Sequence, residues 1–173
     1  MDFSPDSITA TEKRTANKKN LKQLVLANTL PCSFSNDQFD TITLIETIEH
    51  LQDDQLQEMM NELHRILKTK GKVFITTPFN EDLESHMNFC PFCKSEFHHM
   101  QHMRSFDVDS LTALVKQHGF VVDYCNNINI EKFRIGTIKF YIKSMLKKTA
   151  ISLGLMERTG IKNPNLIAIF SKP

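Results

Sequence analysis

The sharpest chemical signal in the chain is Cys90-x2-Cys93-x4-His98-x3-His102. A C-x2-C turn can aim two thiolates at one ion. His98 and His102 are four residues apart, so a helical turn would point both rings the same way. These four side chains are soft or borderline ligands, a set that suits tetrahedral Zn²⁺. Four protein ligands leave no open position. The expectation is therefore a structural zinc that orders a segment with little apolar reason to fold. The competing readings are a redox C-x2-C pair and free thiols beside surface histidines. His86 and His99 compete as ligands.

A second constellation is Glu46-x2-Glu49-His50. The ordinary imidazole pKa lies near neutrality, so His50 can deprotonate an acceptor hydroxyl, or it can simply begin a helix. A third lies in residues 132–148, where Lys132, Arg134, Lys139, Lys143, Lys147 and Lys148 interleave with aromatic and aliphatic residues and no acid intervenes. Such a segment could meet an anionic membrane or a lipid-linked acceptor. The preferred reading is a cap helix with its apolar face on the domain and its lysines in water.

The elements that must position these residues follow from punctuation and periodicity. Ser4 and Pro5 read as an N-cap and first-turn proline, so a sparse surface helix is expected from there to about Lys18. Leu21 to Leu26 and Phe39 to Ile45 read as strands. Leu56, Met59, Met60, Leu63, Ile66 and Leu67 recur at helical spacing, predicting a helix over Asp53 to Lys68, capped by Asp53 or Asp54 and followed by Gly71. Val73 to Thr77 reads as a strand stopped by Pro78. Residues 79–106 break the pattern as an insertion rich in His, Cys, Phe and Met. A helix from Val108 to His118, capped by Asp107 and ended by Gly119, then leads to strands at Phe120 to Tyr124 and Leu166 to Phe170. Apolar strands alternating with helices indicate a parallel sheet covered on both faces.

Composition fits one domain: 173 residues, 40% hydrophobic, 24% charged. A net charge of +1 does not single out nucleic acid or membrane as a partner. No run of about 18 apolar residues suggests a transmembrane helix. No basic-then-apolar run at the start of residues 1–173 suggests a signal peptide. Four cysteines, only one pair of them close, do not form a secreted disulfide framework, so a reducing, cytoplasmic compartment is expected.

With these elements placed, the chain resembles a class I S-adenosylmethionine-dependent methyltransferase. Four landmarks carry the resemblance, from Asp2 to about Phe120: Asp2-Phe3-Ser4-Pro5; Leu30-Pro31 and Asn36-Asp37-Gln38-Phe39-Asp40; Glu46-Thr47-Ile48-Glu49-His50-Leu51; and Leu63-His64-Arg65-Ile66-Leu67-Lys68 through Gly71 and Val73 to Pro78. The resemblance implies an α/β, Rossmann-like three-layer sandwich with a mostly parallel sheet. The family's central first strand and its G-x-G turn have no counterpart within residues 1–173. The expectation is thus of an N-terminally incomplete domain, with the glycine turn upstream of Met1. Three parts are expected: a partial cofactor-binding half over 1–79, the Cys/His insertion over 80–106, and a C-terminal half over 107–173 that holds the basic segment 132–155.

The resemblance also implies roles. Asp2, with Phe3, would hold the ribose of S-adenosylmethionine. Ala27, Asn28 and Thr29 would meet adenine, where the family usually has an acid, and Glu46 would lie near the methionine moiety. Glu49 and His50 would sit at the catalytic end, with His50 as base. The Glu46-x2-Glu49-His50 motif also resembles that of metal-dependent O-methyltransferases, in which a later histidine, here His102, completes a divalent site. The expected reaction is O-methylation of a small-molecule, lipid-linked or glycan acceptor. The alternative is a non-catalytic remnant acting as a zinc-stabilised partner-binding module.

Overall fold

A computed structural model describes residues 1–27, 30–128 and 165–173. The chain opens with Asp2 in a single parallel bridge to Leu26. Helix α1 (Pro5–Thr15) follows at once. Ser4 caps it, its hydroxyl accepting from the Ser7 amide at 3.3 Å, and the helix buries no residue, as its sparse apolar positions predict. The strand expected over Leu21 to Leu26 is reduced to the one bridge at Leu26.

Strand β1 (Phe39–Ile45) leads into helix α2 (Asp53–Ile66). The N-cap is Gln52, not Asp53 or Asp54. Gln52 and Gln55 cap each other reciprocally, while Asp53 forms an ion pair with Arg104 at 2.9 Å. The helix stops at Ile66 because Leu67 is already extended and pairs with Phe39. Strand β2 (Leu67–Pro78) therefore begins without a loop, and Gly71 lies inside it rather than after a helix end. Within residues 79–106, β3 (Met87–Phe89) and β4 (Glu96–His98) form a hairpin. Helix α3 (Val108–Gln117) carries the expected Asp107 cap, reciprocated by Ser110, and ends at Gly119 with φ +79°. Strands β5 (Val121–Ile128) and β6 (Asn165–Ser171) complete the described elements.

The main sheet runs β1-β2-β6-β5. β1 and β2 are parallel, whereas β6 enters antiparallel to both β2 and β5, so the sheet is mixed. The α/β class expected from the sequence is the class observed. Alternate strand positions place Leu44, Val73, Ile75, Leu166, Ala168 and Phe170 in register across the sheet, and they form one core with residues of α2 and α3. Met60 of α2 and Leu111 of α3 are wholly buried in it, and the Phe120 ring meets Phe170 edge-on at 4.8 Å. No helix among the described residues is long and apolar enough to cross a membrane. The basic segment expected over 132–155 lies outside the described residues.

Candidate active site

A cleft of about 830 Å³ opens between the Asp2–Leu26 bridge and the outer edge of β1, which pairs with no strand among the described residues. Asp2, Phe3, Thr43, Glu46 and His50 all line it. Asp2 is fixed by its backbone: its amide donates to Val25 O and its carbonyl accepts from Ala27 N, each at 3.0 Å. Its Oδ1 accepts the Ser4 amide at 2.8 Å. Ala27 is buried beside this bridge, while Asn28 and Thr29 lie outside the described residues. Among the described residues, no glycine lines the cleft.

At the end of β1 the backbone turns through Glu46, whose φ of +47° is uncommon for a residue with a side chain. The Glu46 amide donates to Thr76 O at 3.0 Å, and Thr76 Oγ1 donates to Glu46 Oε1 at 2.7 Å. These bonds from β2 hold the turn. A short 3₁₀ turn over Ile48–His50 then buries Glu49 completely. Thr77 Oγ1 donates to Glu49 Oε2 at 2.9 Å, while the buried Oε1 has no hydrogen-bond partner. Burial pushes the Glu49 carboxyl above the ordinary range, a shift that its own backbone and Thr77 only partly oppose. His50 stands half-exposed beside it, Nε2 3.8 Å from that Oε1. Its Nδ1 lies 3.3 Å from Gln101 O. A carbonyl can only accept, so Nδ1 carries the proton and Nε2 presents a lone pair.

The Cys/His segment is arranged differently from its sequence reading. Cys90 and Cys93 lie in the turn joining β3 and β4, where the Cys90 carbonyl accepts from Lys94 N at 2.8 Å. Cys93 is exposed, and hydrogen bonds from Ser95 and then Cys90 draw its thiol down to about 7. His98 ends β4 at the other end of the hairpin, paired with Met87. No helix links His98 to His102. A turn closed by Gln101 N on His98 O, at 2.8 Å, brings their rings into a stack at 4.8 Å. Their third companion is Glu81 rather than a cysteine: the ligand atoms of Glu81, His98 and His102 lie within 4.8 Å of one another. Those of Glu49, His50 and His102 do so too, so His102 belongs to both groups. Glu81, Thr76, Thr77 and Gln101 carried no local sequence signal. They reach the site by strand pairing and by chain closure at the Phe79–Phe106 bridge.

Comparison with known proteins bears on this geometry. The profile of the methyltransferase-domain family matches residues 1–124. An uncharacterised protein of Methanocaldococcus jannaschii is 28% identical over 104 residues, which is 60% of this chain and 40% of that protein's length. Among solved structures, S-adenosylmethionine-dependent methyltransferase from Methanosarcina mazei superposes with a TM-score of 0.63 at 14% identity, covering 99% of this chain and 79% of that one. A complex between the Haloferax volcanii Trm112 methyltransferase activator and the putative methyltransferase gives 0.65 at 16% identity, covering 99% and 70%. A putative methyltransferase from Bacillus halodurans gives 0.63 at 13%, covering 99% and 81%. At such identities these three structures establish the fold, and the family profile, which spans most of the chain, establishes kinship. The chain belongs to the class I S-adenosylmethionine-dependent methyltransferases.

Proposed function

We propose that the cleft beside β1 holds S-adenosylmethionine and that the methyl group is delivered to an acceptor hydroxyl at the Glu49–His50 end. The volume suits a nucleoside-sized ligand. The exposed Asp2 carboxylate can accept from ribose hydroxyls, as acidic residues do at nucleoside sites of this class. Glu46, held by Thr76, offers its second oxygen to the amino group of the methionine moiety. When bound, the cofactor supplies an electrophilic methyl group on a sulfonium, so the protein's task is alignment and removal of one proton.

The observation that carries the reading is the buried, unpaired Glu49 Oε1 beside the His50 lone pair. His50 accepts the acceptor's proton at Nε2 while Gln101 O keeps the ring in that tautomer. The imidazolium so formed gains a carboxylate neighbour in Glu49. The acceptor class is a small-molecule, lipid-linked or glycan hydroxyl.

The test is methyl transfer from labelled S-adenosylmethionine to a panel of hydroxyl, nitrogen and carbon acceptors. His50→Gln should lower kcat by about 10²-fold at unchanged cofactor affinity, because general-base help is typically of that size. Full activity in His50→Gln, or methylation confined to nitrogen or carbon acceptors, would sink the assignment.

A further inference from the structure

We propose that Glu81, His98 and His102 form a binding site for a borderline first-row divalent cation of the zinc type, separate from the cysteine pair. This assignment does not depend on the methyl-donor reading. The site is built into the chain before any ion arrives. Glu81 follows Asn80, whose amide donates to Phe106 O at 2.8 Å, beside the Phe79–Phe106 bridge. His98 is fixed by its hairpin pairing with Met87. His102 is clamped on both sides, by Gln101 N on His98 O and by Met103 N on Glu49 O, each at 2.8 Å.

The side chains converge. Glu81 Oε2 lies 2.5 Å from His102 Nδ1, and Glu81 Oε1 lies 3.7 Å from His98 Nε2. The His98 side chain is 2% exposed and that of His102 is 8% exposed. His98 Nε2 is buried with no hydrogen-bond partner, an anomaly for a polar atom in a protein interior. A cation between it and the Glu81 carboxylate removes the anomaly. His98 Nδ1 accepts the His102 amide at 3.2 Å, which puts the ring proton on Nε2. An ion binding at Nε2 requires that proton to move to Nδ1, which can then no longer accept the amide, so the long contact yields.

The donor set decides the class of ion. Two imidazoles and a carboxylate are neither the all-oxygen cage of calcium or magnesium nor a thiolate set. Three protein ligands leave a position open, to water or to a third imidazole. His99 stands nearby, its ring 4.8 Å from that of His98. Through His102, whose ring is 4.8 Å from that of His50, such an ion ties the 79–106 segment to the proposed catalytic end.

The experiment is titration of the reduced, chelator-stripped full chain with cobalt(II), followed by displacement with zinc. The native chain should take up about one ion, and its cobalt spectrum should lack the near-ultraviolet thiolate charge-transfer band. The Cys90→Ser/Cys93→Ser double variant should bind as the native chain does. Glu81→Gln and His98→Gln should each weaken binding by about 100-fold or more, beyond the usual effect of removing an outer-shell partner. Glu81 is the less buried of the two, so Glu81→Gln decides the matter if His98→Gln fails to fold. A thiolate band, loss of binding in the double serine variant, full binding by Glu81→Gln, or no uptake by the folded native chain would each overturn the assignment.

Discussion

Glu62 and Cys32 line the cleft, and Arg65 pairs with both. Arg65 donates to both Glu62 oxygens at 2.7 Å, to Asn36 Oδ1 at 2.8 Å and to Cys32 O at 3.2 Å, while Glu62 Oε1 also accepts the Cys32 amide at 2.9 Å. Three of these bonds, to Asn36 Oδ1, to Cys32 O and from the Cys32 amide, tie the loop bearing Cys32 to α2. The Arg65 guanidinium holds the Glu62 carboxyl below its ordinary value. A carboxyl with a lowered folded-state pKa stabilises the fold above its unfolded pKa, about 4.3, and that contribution is lost as pH falls through the lower folded value. Arg65→Met should therefore destabilise the fold at neutral pH, because it leaves the Glu62 carboxylate without its partner. The deficit, read from denaturant midpoints, should shrink in acid. A deficit that grows with acidity would exclude this account. At this scale the sequence marked Cys90, Cys93, His98 and His102 as metal ligands, of which only the histidines cluster with Glu81, and Glu49 and His50 as catalytic candidates. It did not mark Glu81, which stands 17 positions before His98 and shows no short spacing that a motif would capture.

Among the elements, α2 and α3 were legible because their apolar residues recur at the helical period and their ends carry caps. The Leu21 to Leu26 strand was not, since an apolar run pairs only where a neighbour of matching length exists. The join between α2 and β2 was also hidden. Lys70, at φ +62°, and Gly71 look like the turn after a helix, yet the chain is already paired with β1 at Leu67. Gly71 is required there by space rather than by φ. A Cβ would meet the Lys68 carbonyl oxygen at 2.8 Å and the Leu67 side chain at 2.9 Å. Gly71→Ala should destabilise the protein by about 1–3 kcal/mol, the usual range for overpacking. Thermal melts check it, and an unchanged Tm would show that the backbone around Gly71 relaxes freely.

For the molecule as a whole, composition and the order of elements pointed to an α/β domain, and the described sheet is one. Strand direction was beyond reach: the composition of β6 does not say whether it runs with β2 or against it, and it runs against it. The cleft was equally hidden, because it forms between Asp2 and β1 residues some 40 positions later. That cleft carries the central claim. Calorimetric titration of the folded 173-residue chain with S-adenosylhomocysteine tests it most directly. The account predicts saturable binding at a single site, weakened about tenfold or more by Asp2→Asn, the loss expected when a charge-assisted hydrogen bond is removed. Folded protein that takes up no ligand, or that binds equally well as Asp2→Asn, would contradict it.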